Sequence, residues 1–234
     1  MDDTRLFWIA ANQYGDSFPP VNEALTDPDG LLAVGGQLTV DRLLEAYKNG
    51  IFPWYSNNQP ILWWSPNPRT ILYPGQIHIS RSLKKTINRK NFTITCDQAF
   101  EQVIKACSMP RSDDNGTWLM PEMIDAYIKL HHHNYAHSVE CWQDDNLVGG
   151  LYGIAIGRVF FGESMFSRIS DASKICLVKL SAYLQEWNYD LIDCQVQSDH
   201  LLRMGAVQIT REKFMSDLEH SCSMAPSRQS WNVS

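Results

Sequence analysis

Residues 136 to 165 read Ala136-His137-Ser138-Val139-Glu140-Cys141-Trp142-Gln143, then Asp144-Asp145-Asn146, then Leu147-Val148-Gly149-Gly150-Leu151-Tyr152-Gly153-Ile154-Ala155-Ile156, then Gly157-Arg158 and Val159-Phe160-Phe161-Gly162-Glu163-Ser164-Met165. Three β-rich runs stand between short polar and glycine turns, which predicts three strands of an antiparallel meander. Upstream, Phe100, Val103, Ile104 and Cys107 recur at helical spacing behind Asp97, the expected cap, and a second helix is predicted from Pro121 to about His133. Downstream, a long helix from Asp171 or Ala172 to Trp187 puts Cys176, Leu177, Leu180, Tyr183, Leu184 and Trp187 on one side. A strand Leu191 to Val196, a Ser198-capped helix ending at Gly205 and one more strand complete the order. Helix, helix, three strands, helix, strand, helix, strand is an α+β pattern: a mixed, largely antiparallel sheet flanked by helices. Ser221 to Ser234 reads as a polar tail.

The first ninety residues are denser in Pro, Trp and turn residues, so a domain boundary is expected near residue 90, with a small domain over 1–90 and a larger one over 91–234. One helix stands out there: Thr39 can cap it, Leu43, Leu44 and Tyr47 share a face, and Gly50 sits where a C-terminal cap belongs. It runs into Ile51-Phe52-Pro53-Trp54. The stretch Trp63-Trp64-Ser65-Pro66-Asn67-Pro68-Arg69 is too proline-rich for a central strand, and Thr70 to Tyr73 is a short β-like run.

Composition narrows the classes. The 234 residues are 44% hydrophobic and 20% charged, which suits a globular core and excludes collagen-like, coiled-coil and low-complexity chains. No apolar run approaches the roughly 18 residues of a membrane span, and Met1-Asp2-Asp3 opens no secretory leader, so a cytoplasmic protein without a membrane partner is expected. The six cysteines include no C-x-x-C pair. A formal charge of −6 argues against indiscriminate coating of nucleic acid, but Arg81, Lys84, Lys85, Arg89 and Lys90 gather five cations without an acidic neighbour. That run is either a solvated helix face or a phosphate-binding patch.

The chain has no G-x-G-x-x-G, P-loop, H-E-x-x-H or G-x-S-x-G motif. His133 and His137 are four apart, but a helix is expected to end between them, so no metal is assigned. Glu163 and Asp193 place carboxylates on otherwise apolar strands. With Gln195 they form either a polar cluster at a cleft or a buried network tying the sheet together. Cys194 alternates to the other face and reads as packing. Trp54 and Trp118 fall in loop-like stretches where a ring could stack on a base.

Pro28 to Gly36, Gly50 to Trp54, Ile61 to Pro66, Gly116-Thr117-Trp118, Gly162 to Ser167 and Ile192 to Gln195 together resemble, in order, the leucyl/phenylalanyl-tRNA–protein transferases. The resemblance covers about residues 18 to 215. It implies transfer of leucine, phenylalanine and less efficiently methionine from aminoacyl-tRNA to the α-amine of proteins beginning with Arg or Lys, giving an N-terminus that marks them for degradation. It also implies a monomer without cofactor, whose second domain is similar to the GNAT acyltransferase fold. The GNAT pyrophosphate loop is missing, which suits a tRNA ester as donor and disfavours the alternative of a GNAT-type N-acetyltransferase. A non-catalytic tRNA- or peptide-binding module would not need Glu163, Asp193 and Gln195 together.

By the same resemblance, Asp193 and Gln195 lie beside the reacting centre with Glu163 in their network. Leu151, Phe160, Ser167, Leu177 and Leu180 form the aminoacyl side-chain pocket, Leu151 standing where relatives can carry Met. Trp54 and Trp118, with Tyr47 close by, receive the terminal adenosine. The Arg81 to Lys90 patch holds tRNA phosphates.

Overall fold

The computed structural model describes residues 6–10, 18–89, 92–109 and 119–231. From the N-terminus it runs β1 (Phe7–Ile9), β2 (Leu31–Gly35), α1 (Val40–Lys48), β3 (Phe52–Pro53), β4 (Leu62–Trp64), β5 (Arg69–Leu72) and α2 (Arg81–Arg89). There follow β6 (Thr93–Cys96), α3 (Phe100–Cys107), α4 (Pro121–His132), β7 (Ala136–Gln143), β8 (Asn146–Ile156), β9 (Val159–Ser167) and α5 (Ala172–Glu186). The chain closes with β10 (Leu191–Gln195), α6 (Asp199–Arg203), β11 (Val207–Ile209) and α7 (Arg211–Ser223).

Two sheets result, a small one in the order β1-β2-β4-β3 and a seven-stranded one in the order β11-β5-β10-β9-β8-β7-β6. In the large sheet β9 and β10 pair in parallel and the other neighbours antiparallel, the mixed α+β arrangement expected. The meander forms as the turn chemistry predicts. Asp144 and Asp145 take positive φ of 49° and 58°, the left-handed pair that a tight hairpin between β7 and β8 requires. Thr39 caps α1 by accepting from Arg42 N at 3.2 Å, and Ser198 caps α6 by accepting from Leu201 N at 3.3 Å.

Four expectations are corrected. The boundary near residue 90 falls too late, because β5 pairs with β10 and β11 inside the large sheet and α2 packs on α5. Proline and tryptophan cluster most densely up to Pro68, in the small sheet and its turns, well short of residue 90. The run around Trp63 does supply an internal strand, β4, since Pro66 and Pro68 lie past its end. Asp97 does not cap α3; with φ 57° it turns back, accepting from Ser138 N at 2.8 Å and contacting His137 Nδ1 at 2.8 Å. The polar tail is partly structure: Ser221 belongs to α7, which has no place in the expected order, and Trp231 is buried.

One core cluster joins the small sheet and α1 to α3, α4, α7 and one face of the large sheet. The other lies under α5 and α2 on the opposite face. Between these layers the large sheet opens, and the opening positions the site.

Candidate active site

The opening arises from two irregularities on neighbouring strands. In the β8–β9 ladder Tyr152 pairs with Ser164 and Gly153 with Gly162, which leaves Glu163 as the extra residue of a bulge. In the β10–β5 ladder Asp193 pairs with Ile71 and Gln195 with Thr70, so Cys194 is the extra residue there. The parallel β9–β10 pairing ends at Phe161 and Asp193. Beyond that point the strands part, and a cavity of about 1110 Å³ opens between β8, β9, β10 and α5.

Glu163 is the hub of the polar wall. Tyr47 Oη donates to its Oε1 at 2.8 Å, Tyr127 Oη to its Oε2 at 2.7 Å, and Gln195 Nε2 to its Oε1 at 2.7 Å. The two phenolic oxygens are themselves 2.6 Å apart. Two phenolic protons can serve only two of these three oxygen contacts. A proton on Glu163 completes the ring. Burial accordingly pushes the Glu163 carboxyl up to about 7, with Asp193 adding to the rise and the bonds from Tyr127, Tyr47 and Gln195 opposing it. Burial, and then the Glu163 charge, hold both phenols well above their ordinary range, so they remain donors.

Asp193 stands behind this wall. Arg69 Nε and Nη2 donate to its two oxygens at 2.8 and 2.7 Å, and both side chains are withdrawn from solvent. Arg69 is sandwiched between the Phe52 and Phe214 rings and also donates to Gly50 O at 3.1 Å. Asp193 Oδ1 accepts from Gln195 N at 2.9 Å. Gln195 sits at φ 62°, a left-handed backbone costing about 1 kcal/mol or more for a residue with a side chain. The Arg69–Asp193 pair holds the bend that aims the Gln195 amide at Glu163.

Glu163, Asp193 and Gln195, grouped from the sequence, are thus brought together. Arg69 and Tyr127 were missed. Cys194 packs with the α5-side core as alternation predicts, and burial pushes its thiol far up, away from nucleophilic use. Leu151, Phe160, Leu177 and Leu180 line the inner, apolar end of the cavity. Ser167 lines it too, but at the exposed rim, where its Oγ accepts from Ser173 N at 2.9 Å at the start of α5.

Tyr47 is corrected. Its ring is wholly buried and offers no face for stacking, and its hydroxyl serves Glu163 instead. Trp54 is 45% exposed, tilted against Trp64, and outside the cavity lining. Trp118 and Lys90 lie outside the described residues, as does the Arg89 side chain. Arg81, Lys84 and Lys85 are exposed along α2, whose Leu83 turns inward. Among the described residues no three His, Cys, Asp or Glu side chains gather as a metal site, and no helix is long and apolar enough to cross a membrane.

The sequence profile described as leucyl/phenylalanyl-tRNA protein transferase matches residues 71–219, and that of the transferase's N-terminal domain matches 36–67. The chain belongs to the leucyl/phenylalanyl-tRNA–protein transferase family. A member from Cellvibrio japonicus is 54% identical over 91% of this chain and 90% of its own. Another from Azoarcus is 53% identical over 92% of each. Among solved structures, a GCN5-related N-acetyltransferase from Kribbella flavida is similar at a TM-score of 0.34 and 10% identity, over 70% of this chain and 58% of that one. Both family profiles stop short of the last fifteen residues, 220–234.

Proposed function

We propose that this chain transfers a leucyl or phenylalanyl group, and less efficiently a methionyl group, from the 3′ end of tRNA to the α-amine of a protein beginning with Arg or Lys. The named activity of relatives at about half identity supports the transfer. The observation that carries the chemistry is the Glu163–Gln195 contact at 2.7 Å on the wall of a cavity whose inner end is apolar.

The α-amine, with an ordinary pKa of about 7.7 to 8.0, arrives mostly as ammonium at pH 7. Glu163, at about 7, is matched to accept its proton, whereas an ordinary carboxyl near 4 is too weak a base. Gln195 uses its Nε2 on Glu163 and keeps Oε1 to accept from the amine. Asp193 and Arg69 act as positioning residues behind it. The amine nitrogen then attacks the ester carbonyl, the C–N bond forms, and the C–O bond to the ribose breaks. The proton held by Glu163 closes the tyrosine ring and passes to the departing ribose oxygen, and the carboxylate so regenerated takes the second proton from the new amide nitrogen and gives it to solvent.

Leu151, Phe160, Leu177 and Leu180 take the donor side chain, with Ser167 at its entrance. Trp54 and Trp118 take the terminal adenosine by stacking. Arg81, Lys84, Lys85, Arg89 and Lys90 hold acceptor-stem phosphates. On this reading the chain acts as a monomer in the cytoplasm. The added residue destabilises the acceptor and directs it to degradation.

The test mixes protein with labelled phenylalanyl-tRNA and peptides beginning with Arg, Lys or Ala, without ATP or acetyl-CoA. Label is expected in the Arg and Lys peptides alone. Label in none of them would overturn the reading.

A further inference from the structure

The chain beyond the family profile folds back under the cavity. Ser227 N donates to Trp187 O at 2.9 Å, and the Arg228 guanidinium lies 5.3 Å from the centre of a Trp187 ring. This strap delivers Trp231 to the α5-side core, where it is 4% exposed. Its ring stacks on His137 at 4.3 Å and 8° and meets the edge of Trp187 at 5.2 Å. It also meets the Tyr189 ring edge-on at 6.2 Å. A residue this fully enclosed fixes whatever it touches.

One of the rings it touches is Phe160, 5.5 Å away between centroids. Phe160 lines the apolar end of the cavity, and its ring also lies over Gly153 of β8, where a Cβ would come within 2.6 Å of two ring atoms. The ring is therefore held between a bare stretch of backbone and the Trp231 indole. We propose that Trp231, carried by the C-terminal strap, is a specificity-determining positioning residue that sets the depth of the apolar end of the cavity through Phe160. This rests on the reading of that cavity end as the donor side-chain pocket.

Removing the indole leaves a void behind Phe160, into which the ring can retreat, deepening the cavity. The bulkier donor gains relative to the smaller. In apolar sites a single methylene of misfit changes specificity by about 10- to 200-fold, so the effect should be readable.

The test measures kcat/KM for phenylalanyl-tRNA and leucyl-tRNA with the full chain and with Trp231→Ala, Trp231→Leu and Trp231→Phe, each checked for cooperative melting above the assay temperature. The phenylalanyl-to-leucyl ratio is expected to rise more than threefold in Trp231→Ala, less in Trp231→Leu, and to return towards the parent in Trp231→Phe. A ratio that moves by less than threefold, with both donors falling together, would overturn the proposal and leave Trp231 a stability residue. If Trp231→Ala does not stay folded, the ranking of the Leu and Phe variants decides by the same criterion. Failure of the unaltered chain to use either donor would instead overturn the functional reading beneath it.

Discussion

The side-chain amide of Gln195 donates to Glu163 at 2.7 Å, although the strands carrying them stop pairing two residues earlier, at Phe161 and Asp193. The contact bridges a split in the sheet. Each partner is aimed by its own bulge, and each is held from behind, Glu163 by two tyrosines and Gln195 by the Arg69–Asp193 pair. On the proposed reading Glu163 is the proton acceptor and Gln195 the amide that orients the incoming amine.

Asp193→Asn leaves the buried Arg69 guanidinium without its counter-charge. Breaking such a pair from one side typically costs about 3 to 5 kcal/mol, and the left-handed Gln195 loses the carboxylate that restrains it. Denaturant unfolding should show a loss of about 3 kcal/mol, with the transfer rate falling as well. A variant as stable as the parent would show that the pair does not hold the bend.

Glu163→Gln should stabilise the fold above neutrality. The carboxyl rises from an ordinary 4.5 to about 7, so its contribution to stability is full below about pH 4.5 and lost as the pH climbs through about 7. The glutamine variant carries no such loss. With water in the cavity screening part of the penalty, its advantage at pH 8 should be about 1 to 2 kcal/mol, vanishing near pH 4.5. Melting curves of the two proteins from pH 4.5 to 8 check this, and parallel curves would contradict it.

Tyr127→Phe removes the strongest of the bonds that draw the Glu163 value down. The rising limb of the pH–rate profile should move to higher pH. A shift the other way would show that Tyr127 acts elsewhere.

Lys84→Glu with Lys85→Glu should raise the KM for tRNA and leave the saturated single-turnover rate near that of the parent. If both lysines meet phosphates, the slope of log affinity against log salt should shrink by about 2. An unchanged KM would return α2 to the reading of a solvated face.

Much of this was legible in the sequence, for local reasons. The β7 to β9 meander declared itself through three β-rich runs and an Asp-Asp-Asn turn, and the caps at Thr39 and Ser198 were chemically plain. Glu163, Asp193 and Gln195 stood out as polar groups on apolar strands. What stayed hidden is non-local. Arg69 follows a proline in a turn-like run, and nothing near it in sequence reports that it meets Asp193 124 residues away. Tyr127 looks like one more core aromatic on α4, and its meaning depends on a hydroxyl 2.7 Å from Glu163. Tyr47, placed beside the adenosine by resemblance, is wholly buried and spends its hydroxyl on Glu163, which its spacing on α1 does not report. Glu140 resembles Glu163 in pattern, being a carboxylate on an apolar strand, yet it is spent tying Thr95 to Ser138 inside the sheet. Pattern alone does not separate these two carboxylates. The Glu163 bulge does.

The measurement that reaches the central claim is the single-turnover transfer rate as a function of pH for the parent and Glu163→Gln, with aminoacyl-tRNA saturating. If Glu163 accepts the proton, the parent rate rises through about pH 7. The variant is then slower by about 100-fold and rises only with the free amine, near pH 8. Equal rates with the same midpoint in both proteins would contradict the account and assign the proton to another group.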